Sequence, residues 1–240
     1  MDDRLSFNRK DINRLFVFLV GFAALLIAAF FIDKAIGSPI WLLERLVNID
    51  GENSFPSWFS STQLFLIGFF LFLKACRSDS EQGPARWFYL LGAGGFMFLS
   101  ADEALLIHES ITQALLKFDS LYRFEDDHGM WIPFYLGTLA LLALLSWRQV
   151  CRFWECHRRP FLLMAAGAGT FLFGAVGLEI TAYELIATSS WVYLVEVAAE
   201  EFLEMVGASI ILYGSLDLLI TPAARTAAMP VAFGAAAQAA

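Results

Sequence analysis

Six stretches of this chain are apolar over the length that crossing a bilayer requires, and a chain built that way has few choices of fold. A crossing takes about 20 apolar residues, and backbone groups in hydrocarbon must be bonded inside the segment, which favours helices. The stretches run over approximately 14–33, 57–76, 86–109, 130–148, 160–184 and 191–220. The chain is 58% hydrophobic, above the roughly 45–50% apolar share of a soluble domain, and its mean hydropathy is +0.62. The expectation is an all-α, polytopic membrane protein. Residues 1–220 form one domain, a bundle of six transmembrane helices, and 221–240 form a flexible cytoplasmic tail. The second span is the least apolar, because its first turns carry Ser57, Ser60, Ser61, Thr62 and Gln63.

Charge sets the orientation. The first span has basic flanks in Arg4, Arg9, Lys10 and Arg14, yet it is too long for a signal-peptide core and no small-residue cleavage site follows it. It is expected to stay as an anchor. The N-terminus, the loops near 77–86 and 148–159, and the tail together hold 12 of the 16 Lys and Arg. By the positive-inside rule both termini are cytoplasmic, in a multi-pass protein of the cell's inner membrane. Cys76, Cys151 and Cys156 fall at the same ends, where thiols stay reduced, so no disulfide is expected. The net charge is −8, and most acids lie in the outer loops and outer helix halves. Such a face concentrates cations and excludes nucleic acid as a partner.

Between the first two spans, Ile40 to Val47 mixes apolar residues with Glu44 and Arg45, which suits a short helix at the outer surface. The turn-rich Asn48 to Pro56 follows, with Ser54 or Ser57 as a cap for the next helix. A second acidic loop, Phe124 to Gly129, includes His128. The fourth span has no charge between Trp131 and Trp147 and reads as scaffold.

Against this background the run Asp102-Glu103-Ala104-Leu105-Leu106-Ile107-His108-Glu109 stands out. A charge near a membrane helix centre costs roughly 2.5–3.5 kcal/mol on insertion scales, so such residues are rare and tend to be functional. At 1.5 Å rise per residue, Asp102 lies about 24 Å along the third helix, Glu179 about 28 Å along the fifth and Glu204 about 27 Å up the sixth. Three helices thus deliver a carboxylate to one depth. Glu103 shares that tier, and His108, Glu109, Glu184, Glu200 and Glu201 lie about one to two turns further out.

On a continuous helix Asp102 and Glu109 fall within about 20° of each other, with Gly95 on the same stripe. Glu103 and His108 diverge from it in opposite directions. Glu200, Glu204, Gly207 and Gly214 share a face of the sixth helix, and small residues there let helices approach closely. The expected ligand set is Asp102, Glu103, His108, Glu109, Glu179, Glu200 and Glu204, with Glu196, Glu201 and Glu184 read as interfacial. Like charges at close range oppose one another, and three arrangements relieve them: a divalent metal neutralises them, some are protonated and relay protons, or the pocket is a wet vestibule. Carboxylates with one imidazole suit Mn, Fe, Zn or Ca. Neither paired Glu-x-x-His motifs nor His-Glu-x-x-His is present.

Three functions follow from these residues. The first is a metal-dependent hydrolase or oxidoreductase acting on membrane lipid or another apolar substrate, with Glu103 or Glu204 as general base and His108 as ligand or proton shuttle. The second is a cation or proton transporter, disfavoured because the cytoplasmic helix halves are almost free of ionisable groups, Asp217 excepted. The third is a non-catalytic homo-oligomer or subunit of a membrane complex.

Overall fold

The structure is a computed structural model describing residues 8–51, 53–78, 83–118, 129–181 and 191–221, and every regular element among them is helical. Helix α1 (Arg9–Ala35) begins at Asn8, whose side chain accepts from the amides of Lys10 and Asp11 at 2.8 and 3.1 Å. These are two of the four donors that a helix start leaves without an internal partner. Helix α2 (Trp41–Val47) is the short helix expected over 40–47, tied back to α1 by a Lys34–Glu44 ion pair at 3.2 Å. Of the two expected caps for α3 (Phe55–Arg77), Ser54 serves, its Oγ accepting from Ser57 N–H at 3.4 Å.

Helices α4 (Arg86–Leu105) and α5 (Ile107–Leu115) follow, then α6 (Trp131–Leu145) and α7 (Trp147–Cys156). Helix α8 (Arg158–Leu172) continues through a π-helical stretch, Phe173–Leu178, as far as Thr181. The last helix, α9 (Trp191–Ile220), is 30 residues long. Four helices are long and apolar enough to cross a membrane, and up to six spans result if each bent pair counts as one. This is the make-up of a multi-pass membrane protein. Val17, Phe18, Leu25 and Ile32 of α1 stand exposed, as lipid-facing side chains do.

Two expected spans are not straight. The 86–109 segment turns by 77° between α4 and α5, and the 130–148 segment turns by 71° where α6 meets α7. Residues 148–159, expected as a loop, are mostly helix. Ser146 marks the second bend, its Oγ donating to Leu142 O at 2.6 Å. Glu184, His128 and the tail beyond Thr221 lie outside the described residues.

The core centres on α9, which packs against α8, α3, α1 and the π-helical stretch. Its contact with α8 is glycine against glycine. A Cβ on Gly207 would stand 2.6 Å from Phe171 N, and one on Gly167 would stand 2.7 Å from Gly207 O. Gly174 meets Glu200 O in the same way, at 2.9 Å, and Gly214 meets the Met164 side chain at 2.7 Å and its backbone N at 3.2 Å. Small residues permit this backbone-to-backbone approach, so the expected role of Gly207 and Gly214 is met. Gly95 differs: no atom of the described residues lies within 4 Å of the place its Cβ would take.

Helices α3 and α4 join through a reciprocal serine pair, Ser61 Oγ donating to Ser100 O and Ser100 Oγ to Ser61 O, both at 2.8 Å. Gln63 Nε2 donates to Ser209 Oγ at 2.7 Å, linking α3 to α9 in the buried middle. Beside it Ile67, Leu71, Ile211, Leu212 and Leu216 fill the bundle. Asp217 is fully buried and pairs with Arg9 at 3.3 Å and Arg159 at 3.7 Å, so the start of α1 and the finish of α9 share one end. His157 is buried there against Phe153, and its burial, then the charge of Lys74, pushes the imidazole down to about 4. It is neutral near pH 7.

The glycine seam can be tested directly. Gly207→Ala should lower stability by about 1–3 kcal/mol, the usual cost of overpacking. Gly169→Ala, on the facing helix α8 where no described atom lies within 4 Å of the added Cβ, should leave the thermal midpoint in detergent unchanged.

Candidate functional site

The site is built around the break between α4 and α5. Leu106 adopts φ 56° and ψ 45°, a left-handed conformation that a bulky residue rarely takes. No glycine or proline marks it in the sequence. A carboxylate compensates: Asp102 Oδ1 accepts from the backbone N–H of His108 at 2.7 Å and lies 3.3 Å from His108 Nδ1. Asp102 thus caps the α5 N-terminus from one turn away, where a negative charge also suits the helix dipole. Carrying its proton on Nδ1, His108 would leave Nε2 as an acceptor, able to take a proton or bind a metal.

Aromatic rings of α6 close over this pair. His108 meets Trp131 edge to face at 5.4 Å, and Trp131 meets Tyr135 at 5.2 Å. The Tyr135 side chain is also an electrostatic neighbour of Asp102. Its hydroxyl is within hydrogen-bonding reach of that carboxylate, whereas buried Trp131 Nε1 has no hydrogen-bond partner among the described residues. Sequence reasoning placed both in scaffold; their spacing of four puts them on one helix face, the only signal available.

Glu103 belongs to a different set. It is half-buried, and its charge acts on Glu201 and Glu204 of α9. Glu179, directly after the π-helical stretch, acts on Glu196, Glu200, Glu201 and Glu204, and also on His108. The wider π turn and the glycine seam account for this reach. Gly174 sits so close to α9 that its missing Cβ would stand 3.2 Å from Glu204 Cγ. Glu196 is buried, against the expectation of an interfacial side chain, and neither carboxylate oxygen has a hydrogen-bond partner among the described residues. Asp50, from the turn after α2, adds to the same field and accepts from Tyr193 OH at 3.2 Å.

Two expectations are corrected. The shared stripe of Asp102 and Glu109 assumed a straight helix; the turn at Leu106 separates them, and Glu109 is exposed. Among the described residues, no three His, Cys, Asp or Glu side chains are placed to hold one metal ion. Asp102, Glu103, His108, Glu109, Glu179, Glu200 and Glu204 are therefore not one coordination sphere here. They divide into the Asp102–His108 pair, with the exposed Glu109 of α5 acting on His108, and a group of glutamates on α4, α8 and α9, with Glu179 and His108 in electrostatic contact across the divide.

A protein-family model described as a domain of unknown function (DUF8692) matches residues 15–218, so the chain belongs to that family. No curated protein and no solved structure matches it.

The cap gives a local test. Asp102→Ala should destabilise the protein by about 0.5–2 kcal/mol, the range for losing a helix N-cap. Asp102→Asn keeps an acceptor and should recover most of that loss in thermal unfolding.

Proposed function

We propose that this protein is a cation-binding enzyme of the inner membrane. In this reading the glutamates on α4, α8 and α9 take up a divalent metal (Mn, Fe, Zn or Ca), and the Asp102–His108 pair moves a proton beside it. The substrate is a membrane lipid or another apolar molecule. One observation carries the reading: Glu200, Glu201 and Glu204 are withdrawn from water on α9 within one another's field and that of Glu179, and among the described residues no Lys, Arg or His forms an ion pair with Glu200, Glu201 or Glu204. A divalent cation is the neutraliser that leaves all of them ionised.

Each residue has a role in this scheme. Glu179, Glu200, Glu201 and Glu204 supply hard oxygen donors, which side-chain rotation brings together as the cation neutralises them. Glu103 serves as general base, or Glu204 where the other three glutamates hold the metal without it. His108, held by Asp102, passes the proton on through Nε2, and Trp131 and Tyr135 keep water from its other side. The metal, when bound, polarises a substrate oxygen or activates water.

The positive-inside count supports an orientation with the Arg9–Asp217 end in the cytoplasm and the acidic end in the periplasm. The apolar filling beside Ser209 favours a one-sided site over a route through the membrane. A second reading, a subunit of a larger membrane complex, draws on α6, where Phe134, Leu139, Leu141, Leu144 and Leu145 stand exposed. Lipid covers such a face equally well, and the metal reading is preferred.

Elemental analysis of the purified protein is the test. Stoichiometric Mn, Fe, Zn or Ca is expected, lost on Glu103→Gln or Glu204→Gln in variants that remain folded. Metal-free wild-type protein that takes up none of the four ions in equilibrium dialysis would overturn the reading.

A further inference from the structure

The end of the bundle opposite the acidic group carries a second polar network that the proposed chemistry does not use. Arg159 Nη2 donates to Tyr213 OH at 3.0 Å, and Tyr213 OH donates to Asn13 Oδ1 at 2.8 Å. Arg159 also faces the fully buried Asp217, which accepts from Arg9 Nη2 at 3.3 Å. Two guanidinium charges against one carboxylate leave one positive charge. Both arginine side chains are about half exposed, at 53% and 45%. Asp217 therefore anchors them and leaves further donors on each turned to the surface.

Directly against this network lies a cavity of ≈ 300 Å³ between α1, α8 and α9. Its walls are Phe16, Val17, Leu163 and Ile210, and its polar rim is Asn13 and Tyr213. Since Asn13 and Tyr213 are both rim and network, the apolar space and the arginines are two parts of one feature. The volume is at the lower limit of the ~300–1,000 Å³ typical of small-molecule pockets. Val17 opens it to the lipid-facing surface.

We infer that this groove is a binding site for an anionic phospholipid, with the phosphate at Arg9 and Arg159 and part of an acyl chain against Phe16, Val17, Leu163 and Ile210. Charge complementarity carries the choice of occupant. A zwitterionic headgroup brings no net charge to match the excess, whereas an anionic one does. Basic pockets between membrane helices recognise anionic headgroups in this way, as phosphate oxygens accept from guanidinium forks. A free phosphate would satisfy the arginines and leave the apolar cavity unfilled. The site is separate from the acidic group and does not depend on a metal there.

The test uses the full chain in nanodiscs of equal phosphatidylglycerol and phosphatidylcholine, released for native mass spectrometry. Retained phosphatidylglycerol should exceed phosphatidylcholine by about fivefold, the preference one unmatched basic charge gives. The triple variant Arg9→Gln, Arg159→Gln, Asp217→Asn removes the net charge without stranding a buried carboxylate, and should abolish the preference. Leu163→Trp fills the cavity with the arginines intact and should lower total retained lipid; together the variants separate binding from folding. Equal retention of the two lipids by wild type, an unchanged preference in the triple variant, or displacement by millimolar inorganic phosphate would overturn the proposal.

Discussion

The glycine-to-glycine contact between α8 and α9 is the constraint on which the rest of the structure depends. At Gly167 and Gly207 the two backbones approach to a distance that admits no side chain. In lipid no hydrophobic force drives helices together, so close van der Waals packing must do it. Because α9 also receives α1 and α3, its position relative to α8 sets the register of the bundle. The same seam, continued through Gly174 into the π-helical stretch, brings Glu179 beside Glu200 and Glu204. Packing and electrostatic conflict thus arise from one contact.

The bend at Leu106 is the second determinant. A straight helix would carry His108 and Glu109 a further turn along the bundle. The structure instead turns the chain by 77°, accepts a left-handed leucine and offsets it with the Asp102 cap. Backbone strain of this kind tends to persist where function needs an unusual geometry. Here its effect is to hold His108 against Trp131 and within the field of Glu179.

Much of the architecture was legible in the sequence. Apolar length located the helical segments, Ser54 marked the start of α3, and Gly207 and Gly214 marked the packing face of α9. Depth along each helix brought Glu103, Glu179 and Glu204 to a common level, and the first two both act on Glu204. What the sequence hid was local backbone geometry. Leu106 and Ser146 bend the chain without a glycine or proline, and a π-helical stretch has no compositional mark, so angles counted on a straight helix failed beyond Asp102. Glu196 was misread for a related reason: its burial comes from neighbours far along the chain, Phe30 and Ile49 packing beside Val197 and Ala198.

The central claim is that acids of three helices share one field inside the bundle and need a cation to relieve it. Thermal unfolding of wild type and Glu204→Gln in chelator-treated, metal-free detergent solution tests this most directly. At alkaline pH, where every carboxylate is ionised, neutralising Glu204 removes one of the repelling charges, so the account predicts a higher midpoint for the variant under those conditions. A lower midpoint would contradict it, because Glu204 would then be stabilising the fold instead of straining it.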